Sequence, residues 1–317
     1  MRLFLFKKIR FNIKENIDSN EDILMCHSDF FPNTIPTWLL SKYFNKKAFC
    51  WFHMQAPSVF RGFLGQFTGK FTWPNLSRVH YILNQQLFFA LVKRINGFVL
   101  AVNPYYNDFL SKKKIEYYII EKFGGADIEL DSVRSQNLDK KEFDLIFLGR
   151  FHEQKGILEI PDILEIVVRS VPQVKMAIVG SGHVGIEKKL NAILKDKNLV
   201  KNVKMFGSLV GSDKVAVLNQ SKIFIFPSYF ESFGIVVLEA MDRGLPVIAY
   251  NLPVYGVFRS GMIKVPVLDN VSFAGAIVNL LNNDSEYKNM SVCAQSFASS
   301  FSWEKTSAEV FSLIKKF

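Results

Sequence analysis

The sequence predicts an α/β protein made of two domains, each with a doubly wound parallel sheet. Short apolar runs alternate with helix-length segments along both halves of the 317-residue chain. Strands that are buried on both faces read as continuous apolar runs, and intervening helices are typical of parallel crossovers. A chain of this length can also bury two hydrophobic cores. We therefore expect one such sheet in each half.

Nine apolar runs predict the strands of the two sheets. Those of the first half lie within residues 22–28, 48–53, 97–103 and 117–123. Those of the second half lie within residues 143–149, 174–180, 203–206, 222–228 and 246–250. The closing segment, FSWEKTSAEVFSLIKKF, predicts an amphipathic helix with basic residues in its last turn.

The polar stretch 124–142 has no apolar period and separates the two halves. We therefore predict an N-terminal domain over 1–127, a linker over 128–142, a C-terminal domain over 143–300 and a terminal helix over 301–317. Ligands of such proteins bind at the carboxyl ends of the strands. The expected ligand site is a cleft between the two domains.

Composition limits the classes of partner. With 49% hydrophobic residues the chain is globular, and its net charge of +10 together with 31 Phe favours an anionic partner such as phosphate or membrane lipid. The basic residues are dispersed and form no known nucleic-acid module, so we expect no nucleic acid. No apolar run reaches the ~20 residues of a membrane span.

The three cysteines, Cys26, Cys50 and Cys293, have no C-x-x-C spacing and each falls in an apolar strand or helix pattern. Buried free thiols in such positions favour a reducing compartment. The histidines lack metal-ligand spacing and no D-x-D pair occurs in a loop, so we predict no metal.

The stretch GRFHEQKG, residues 149–156, follows the first strand of the second half and is expected to open its first helix. Gly149 and Gly156 permit a tight turn and close approach of the backbone to a ligand. Arg150 and Lys155 add two cations, so a phosphate or diphosphate would fit there, held by charge-assisted bonds and the helix N-terminus. The alternative is a basic surface loop without a ligand.

Residues 230–241, FESFGIVVLEAM, carry two carboxylates. Glu231 falls in a loop, and Glu239 lies about five residues inside the next helix, which separates them by ~7 Å of axial rise before the loop is added. That exceeds the ~5 Å spacing of the two carboxylates in a retaining glycosidase. We expect the two acids to contact two parts of an extended ligand.

Gly234, at the start of that helix, exposes backbone N–H groups and predicts a second anion-binding site. A carboxylate inside the apolar run around Glu239 needs a partner, for which a ribose diol is suitable. The alternative is that Glu231 is an acid favoured near a helix N-terminus and that Glu239 is an exposed helix residue.

Two further features await a function. His53 ends a predicted strand and is expected to point toward the cleft, although a lone histidine is often structural. Residues 57–78 place several aromatics among glycines and cations, which fits a surface that meets lipid headgroups or a polyprenyl chain. The alternative for this stretch is a small aromatic core under a long loop.

These residues resemble, in order and context, the retaining glycosyltransferases of family 4, which share the GT-B fold of two Rossmann-like domains facing a cleft. The resemblance covers nearly the whole chain, through DILMCHSDFFP, WFHMQAP, FLGRFHEQKG, FPSYFESFGIVVLEAMDRGLPVIA and FSWEKT. Its most specific part is the E-x7-E element at Glu231 and Glu239, and the next is the GR…KG element of residues 149–156.

The resemblance implies a role for each residue of the donor site. Arg150 and Lys155, beside Gly149, would hold the donor diphosphate and stabilise charge on the leaving nucleotide without a metal. Glu239 would bind the donor ribose. Glu231, with the backbone of the next residues, would contact the transferred sugar and phosphate; these backbone positions are Phe233 and Gly234.

The resemblance also places Phe206 and the following residues, including Leu209, beside the base. His53 would lie near the reacting sugar, and residues 301–317 would pack back on the N-terminal domain. The implied reaction moves a sugar from a UDP- or GDP-linked donor to a glycan or a lipid-linked acceptor with retention of configuration, and needs no further cofactor. Its expected setting is cell-surface polysaccharide or glycolipid synthesis in the cytoplasm, at the inner face of the membrane.

The opening of the chain departs from the family pattern. Family members begin with a strand and a glycine-rich loop, then two further strand–helix units before the equivalent of DILMCHS, whereas residues 1–18 resemble the helix just before that strand. We therefore expect an N-terminal domain without its first three strands. The alternatives to an active transferase are a donor-binding module or partner subunit without turnover, and an enzyme of the same fold that epimerises or phosphorolyses sugar nucleotides.

Overall fold

The computed structural model describes residues 23–62, 65–74, 76–125 and 141–316. The chain forms two compact units. The first contains the described residues up to Gly62 together with Thr72–Ile120, and the second contains the described residues of 63–71 and Glu121–Lys316. The helix expected in residues 1–18 and most of the predicted linker lie outside the described residues.

A four-stranded parallel sheet forms the core of the first unit. Its strands pair in chain order and are β1 (Leu24–Cys26), β2 (Ala48–Phe52), β3 (Gly97–Ala101) and β4 (Tyr117–Ile119). Side chains such as Phe52, Phe98 and Leu100 are buried, as continuous apolar runs predict for strands covered on both faces. The predicted parallel sheet of this half is confirmed.

Helices α1 (Phe31–Phe44), α3 (Leu76–Val92) and α4 (Asn107–Ser111) belong to the first unit. Helix α1 begins after an extended residue, Phe30, with a proline in its first turn, and ends at Asn45 in the left-handed conformation. It packs against β1 and β2, and α3 packs against α1 and β3. Because β1 and β2 pair in parallel, the loops after them lie at the same edge of the sheet.

The second unit contains a six-stranded parallel sheet. In chain order its strands are β5 (Phe143–Leu148), β6 (Met176–Val179), β7 (Val203–Gly207), β8 (Ser221–Phe226), β9 (Val247–Tyr250) and β10 (Met262–Val265). They are arranged in the order β10-β9-β8-β5-β6-β7. Strands β6 and β7 are added on one side of β5, and β8, β9 and β10 on the other, so the strand order reverses between β5 and β8. Ligands of doubly wound sheets bind at the carboxyl ends of the strands at such a reversal.

Strand β10 extends the second sheet by one strand beyond the sequence prediction. It pairs with β9 through Met262–Val265 and lies at the edge of the sheet. Three of its four residues are half-exposed, and one of them is Lys264. The run therefore lacks the continuous apolar character that identified the other strands.

The helices of the second unit lie between and after its strands. They are α2 (Gly65–Thr68), α5 (Ile160–Ser170), α6 (Val184–Asp196), α7 (Gly211–Asn219), α8 (Ile235–Asp242), α9 (Asn270–Asn282), α10 (Asp284–Ala298) and α11 (Trp303–Lys316). Helix α8 starts after Gly234 and stops before Gly244, and both glycines have positive φ. The start agrees with the prediction, and Gly244 is the glycine that commonly follows the end of a helix.

The terminal helix α11 is anchored through Thr306. The N–H of Gly124 donates to the Thr306 hydroxyl (3.1 Å), which in turn donates to the carbonyl of Lys122 (3.0 Å). Trp303 packs edge-on against Phe123. The helix thereby fixes the segment that leads into the second unit, and its last turn carries two lysines as predicted.

The cysteines are all free. Cys26 and Cys50 are buried neighbours on β1 and β2, as predicted, whereas Cys293 on α10 is half-exposed. Within the described residues, none of the helices combines the length and the hydropathy that a membrane span requires.

Candidate functional site

The loop after β5 carries the two predicted cations. Arg150 is exposed directly after the strand, and Lys155 ends a short 3-10 turn, Glu153–Lys155, that closes with Gly156 at φ 66°. Helix α5 begins only at Ile160, so the expectation that this stretch opens the helix is wrong. This turn packs closely against the loop after β8. A Cβ added at Gly156 would lie only 1.8 Å from the Pro227 carbonyl oxygen, so the position requires glycine.

The loop after β6 lies directly against the loop after β5. A Cβ on Gly180, which has φ 138°, would lie 1.9 Å from the Gly149 carbonyl oxygen, and a Cβ on Gly182 would lie 2.1 Å from that of Phe151. The Phe151 N–H donates to the Ser181 carbonyl at 2.8 Å. Gly180 and Gly182 of this loop, which we call the glycine loop (residues 179–183), are thus required for this close approach.

A cavity of about 750 Å³ opens at the carboxyl ends of β5, β6 and β7 within the second unit. Four of the predicted site residues line it, namely Gly149, Arg150, Leu209 and Glu239. Backbone and side-chain groups of the glycine loop, together with Lys214, form other parts of its wall. The volume falls in the range of small-molecule sites.

Lys155 and Glu231 form an ion pair between the loops after β5 and β8, outside the described lining of the cavity. The Lys155 ammonium lies 2.6 Å from Oε1 of Glu231, and the Ser228 hydroxyl donates to the same oxygen at 2.6 Å. The Glu231 side chain is 7% exposed and that of Lys155 is 19% exposed. A buried carboxylate is retained as an ion only with such partners, so the loops after β5 and β8 are coupled through charge.

Glu239 has a protein partner that the sequence did not predict. The Lys214 ammonium on α7 lies 2.9 Å from Oε1 of Glu239 on α8, and both side chains are about four-fifths buried. The expectation that this carboxylate needs a partner is met by Lys214, and a ribose contact at Glu239 stays a prediction. Glu231 and Glu239 are each paired with a different lysine, consistent with two separate contacts rather than one acid pair.

Phe233 and Gly234 stand between the two acids. Phe233 is buried and its ring packs against Phe258 and Phe301, so only its backbone is available to a ligand. A Cβ on Gly234, which has φ 100°, would lie 3.2 Å from the Tyr255 ring. The sequence of this turn is thus set by packing beneath it as well as by the helix that follows.

Phe206 lies apart from the cavity. Its ring packs edge-on against Phe143, the first residue of β5, and the Lys204 ammonium lies 4.9 Å from the ring centroid. The described lining of the cavity contains Leu209 but not Phe206. Of the two residues expected beside a base, the structure brings only Leu209 to the cavity.

His53 belongs to the first unit. Its Nε2 lies 3.2 Å from the His27 carbonyl oxygen, an arrangement in which the ring nitrogen donates, and the ring stacks on Trp51. Nearby, the buried Asp29 accepts a hydrogen bond from Gln85 (2.8 Å). Burial raises the pKa of the Asp29 carboxyl, while the hydrogen bond from Gln85 acts in the opposite direction.

Several large side chains of the aromatic stretch 57–78 are highly exposed in the first unit. Trp73 is 83% exposed and Leu76 is 89% exposed, and Phe60 and Arg61 are also exposed. Arg78 fixes the fold of the stretch, because its guanidinium donates to the Val59 carbonyl (3.0 Å). For these residues, exposure argues against the alternative of a small buried aromatic core.

The described residues contain no group of three or more His, Cys, Asp or Glu side chains that could hold a metal ion. The metal-free site stays a prediction, since a donor's own phosphates also take part in metal binding in many enzymes of phosphate chemistry.

A sequence profile of the glycosyl transferases group 1 family matches residues 130–296, just over half of the chain. The chain belongs to this family. The assignment covers the cavity, both ion pairs and the glycine loop, all of which lie inside the matched range.

This group 1 glycosyltransferase is similar to curated proteins over part of their length. It is 34% identical over 145 residues to the phosphatidyl-myo-inositol mannosyltransferase of Mycobacterium leprae, which covers 44% of the chain and 37% of that protein. It is 22% identical over 228 residues to the GDP-mannose:cellobiosyl-diphosphopolyprenol alpha-mannosyltransferase of Xanthomonas oryzae, covering 69% of the chain and 60% of that protein. The chain thus spans less than two thirds of either relative.

Solved structures confirm the fold class. The Anabaena protein HepE, solved with UDP and glucose, aligns with a TM-score of 0.73 at 17% identity, over 92% of this chain and 78% of its own. Such an alignment supports the GT-B fold of two parallel-sheet, Rossmann-like domains.

In this group 1 glycosyltransferase, sequence reasoning missed two elements of the site. Lys214 lies in a helix with no local pattern that marks it, and it meets Glu239 only through tertiary structure. Ser228 was recognised as the end of a strand, but not as a donor to Glu231. A polar residue that directly follows a buried strand beside a candidate carboxylate is the signal that would have identified Ser228.

Proposed function

We propose that this group 1 glycosyltransferase moves a sugar from a nucleoside diphosphate donor to a hydroxyl group with retention of configuration, as in the family 4 enzymes it resembles. The observation that carries the proposal is the cavity of the second unit, lined by Gly149, Arg150 and Glu239 at the reversal point of the sheet. A glycine-lined wall admits phosphate oxygens close to backbone N–H groups, and Arg150 supplies a planar cation that suits them.

Each end of the donor has a proposed partner. The diphosphate contacts Arg150 and Lys155, and the ribose contacts Glu239. The base lies toward Leu209, which borders the same cavity as Glu239. Because the Lys155 ammonium carries three protons and Glu231 accepts one, Lys155 can keep its ion pair while it donates to a phosphate.

The transferred sugar lies toward Glu231 and the backbone of Phe233 and Gly234. Glu231 accepts from a sugar hydroxyl, and its position is fixed by Lys155 and Ser228. His53, which belongs to the first unit, is proposed to contact the reacting sugar, as the resemblance implies. With its Nε2 proton directed at the His27 carbonyl, the neutral ring presents Nδ1 as an acceptor for a sugar hydroxyl.

The chemical step breaks the bond between the anomeric carbon and the diphosphate oxygen, and forms a bond from that carbon to the acceptor oxygen on the same face. The leaving diphosphate oxygen takes the proton of the acceptor hydroxyl. Negative charge grows on the diphosphate as the bond breaks, and the cations of Arg150 and Lys155 stabilise it. This electrostatic role is the reason for two cations beside one phosphate site, with the donor as a substrate and no separate cofactor.

The acceptor is a glycan or a lipid-linked molecule with a free hydroxyl group. The names of the curated relatives support this, since one acts on phosphatidyl-myo-inositol and another on a cellobiosyl diphosphopolyprenol. The exposed Phe60, Trp73 and Leu76, beside the cation of Arg61, are suited to a membrane surface. We place the reaction at the cytoplasmic face of a membrane, in synthesis of a glycolipid or cell-surface polysaccharide from a UDP- or GDP-linked sugar.

A donor panel tests the proposal. Binding of UDP and GDP is measured by calorimetry, and each nucleotide sugar is then incubated with and without a polyprenyl-diphosphate-linked disaccharide or phosphatidylinositol. Transfer with a retained anomeric configuration, read by NMR of the product, is the expected result. Nucleotide binding without turnover would instead favour a donor-binding module, a converted sugar nucleotide without acceptor would favour an epimerase, and failure to bind either nucleotide would overturn the proposal.

A further inference from the structure

We infer that Lys214 is a specificity-determining residue of the donor site, which binds the ribose jointly with Glu239 and selects ribonucleotides over 2′-deoxyribonucleotides. The inference rests on the proposed function, because it assumes that the cavity receives a nucleotide. It assigns a role to a lysine that neither the sequence pattern nor the resemblance singled out.

Lys214 and Glu239 lie next to each other in the wall of the cavity. Lys214 on α7 and Glu239 on α8 both line the cavity, and their charged groups are 2.9 Å apart. Ion pairs on an open surface contribute little and hold no fixed geometry. This pair is about four-fifths buried, so burial holds the ammonium and the carboxylate side by side in the cavity wall.

The pair offers a hydrogen-bond donor and a hydrogen-bond acceptor side by side. An ammonium only donates hydrogen bonds and a carboxylate only accepts them, so neighbouring groups of both kinds match a ligand that does both. A hydroxyl donates and accepts, and a vicinal diol offers two such groups at the spacing of neighbouring polar atoms. Ribose O2′ and O3′ can therefore donate to Glu239 while they accept from Lys214.

Other parts of a nucleotide fit the pair less well. A phosphate only accepts, and the Glu239 carboxylate would repel it. A base carbonyl only accepts and would leave Glu239 without a donor from the ligand. The phosphate chemistry fits Arg150 and the glycine loop instead, which line the same cavity.

Removal of one hydroxyl should therefore be costly to binding. A 2′-deoxynucleotide would leave one member of the pair without its ligand partner in a mostly buried wall, and sites built to bind a hydroxyl reject analogues that lack it. We expect the wild-type protein to bind UDP or GDP at least tenfold more tightly than the matching 2′-deoxynucleoside diphosphate.

The test compares the affinity ratio, measured by calorimetry with UDP, 2′-deoxy-UDP, GDP and 2′-deoxy-GDP, across variants. Lys214→Met should weaken binding of the ribonucleotide about tenfold or more and leave the deoxynucleotide within about threefold, so that the ratio falls toward one. Lys214→Arg, which keeps a cation, should retain part of the preference. Lys204→Met is the matched control, since Lys204 pairs with Glu142 (3.2 Å) outside the described lining of the cavity.

A second variant guards against misfolding. Lys214→Met leaves the Glu239 carboxylate without its cation, so the double variant Lys214→Met/Glu239→Gln removes both charges together. It should unfold at the wild-type denaturant midpoint or close to it and bind both kinds of nucleotide with equal affinity. Undiminished preference for the ribonucleotide in a folded Lys214→Met protein, or in the double variant, overturns the inference and leaves the proposed function standing. If the wild-type protein binds no nucleotide, the proposed function itself fails.

Discussion

The ammonium of Lys155 lies 2.6 Å from Oε1 of Glu231, and this contact joins the loop after β5 to the loop after β8. Both residues belong to the proposed transfer site. The ion pair also makes each one a structural partner of the other when no donor is bound. A variant of either one therefore changes two properties at once, the stability of the loops and the chemistry of the site.

Lys155→Met should reduce transfer activity about 10²-fold or more, because it removes a cation that stabilises the leaving diphosphate. It should also lower the free energy of unfolding by about 1–3 kcal/mol, since the buried Glu231 carboxylate loses the cation that pairs with it. Activity with saturating donor and urea denaturation measure the two effects. Lys222→Met is the control, as Lys222 pairs with Asp144 elsewhere in the same unit and should keep full activity.

The double variant Lys155→Met/Glu231→Gln separates the two effects. Removing both charges should restore most of the lost stability, because no uncompensated ion remains. Activity should stay as low as in Lys155→Met. Recovery of activity together with stability would mean that the pair stabilises the fold and has no role in the transfer reaction.

Ser228→Ala should lower the free energy of unfolding by about 1–2 kcal/mol, since Ser228 is buried and donates to Glu231 at 2.6 Å. The loss leaves Glu231 with one fixed donor fewer, so kcat should fall more than the affinity for the nucleotide. Steady-state kinetics and calorimetry give the two values. Ser299→Ala, at the end of α10, serves as control and should change neither.

Gly180→Ala should remove nucleotide binding and destabilise the second unit by about 2 kcal/mol or more. The added Cβ would lie 1.9 Å from the Gly149 carbonyl oxygen at a φ of 138° that side chains rarely adopt. Gly275→Ala is the opposite case, because Gly275 lies inside α9 and no described heavy atom outside its own helix and chain neighbours lies within 4 Å of the added Cβ. That change should stabilise the unit by up to about 1 kcal/mol, as urea denaturation would record.

Asp29 should give the first unit a stability that falls as the pH rises. Burial raises the pKa of its carboxyl above the ordinary 3.8, so below that value the group is neutral in both the folded and the unfolded state. Between 3.8 and the raised pKa, ionisation is easier in the unfolded state, and unfolding is increasingly favoured until the pH passes the raised pKa. The free energy of unfolding of Asp29→Asn, relative to wild type, should therefore increase across this window.

The comparison relies on an amide that keeps the hydrogen bond. Asn at position 29 can still accept from Gln85 but cannot ionise. The free energies of unfolding of the two proteins are compared from about pH 3.5 to neutrality, roughly the range in which a buried carboxyl titrates. A difference that stays constant across this range would contradict the prediction.

Trp73→Ser should weaken binding to vesicles of anionic lipid, measured by sedimentation, and leave the free energy of unfolding within about 0.5 kcal/mol. The indole is 83% exposed and suited to the lipid interface. Val292→Ser removes an exposed apolar side chain of α10 in the second unit and should bind vesicles as wild type does. Equal loss in both variants would argue for a nonspecific effect.

Residues 143–149 illustrate what the sequence could predict. Their uninterrupted apolar run is the direct consequence of burial on both faces of a parallel sheet, and the structure places β5 there. The same rule could not find β10, whose edge position leaves Lys264 half-exposed. The sheets were therefore predictable where burial is complete.

The site was predictable only where its residues follow a local pattern. Gly149 and Arg150 directly follow a strand, so their place at the carboxyl edge could be inferred. The pairing of Lys214 with Glu239 joins residues 25 positions apart on two helices, and only tertiary packing brings them together. Gly180 could not be read as essential because the obstacle to a side chain there is the carbonyl of Gly149, in another loop.

The two kinds of loop around the cavity differ in how freely they can change during evolution. The loops after β5 and β6 are locked, since a methyl group at Gly180 or Gly182 would overlap a neighbouring backbone. The segment after β7 is open, with Val210 81% exposed and no described heavy atom beyond its chain neighbours within 4 Å of a Cβ added at Gly211. Under the donor orientation proposed above, a lineage could therefore exchange one nucleobase for another by substitutions after β7 while the glycine-containing backbone after β5 and β6 stays invariant.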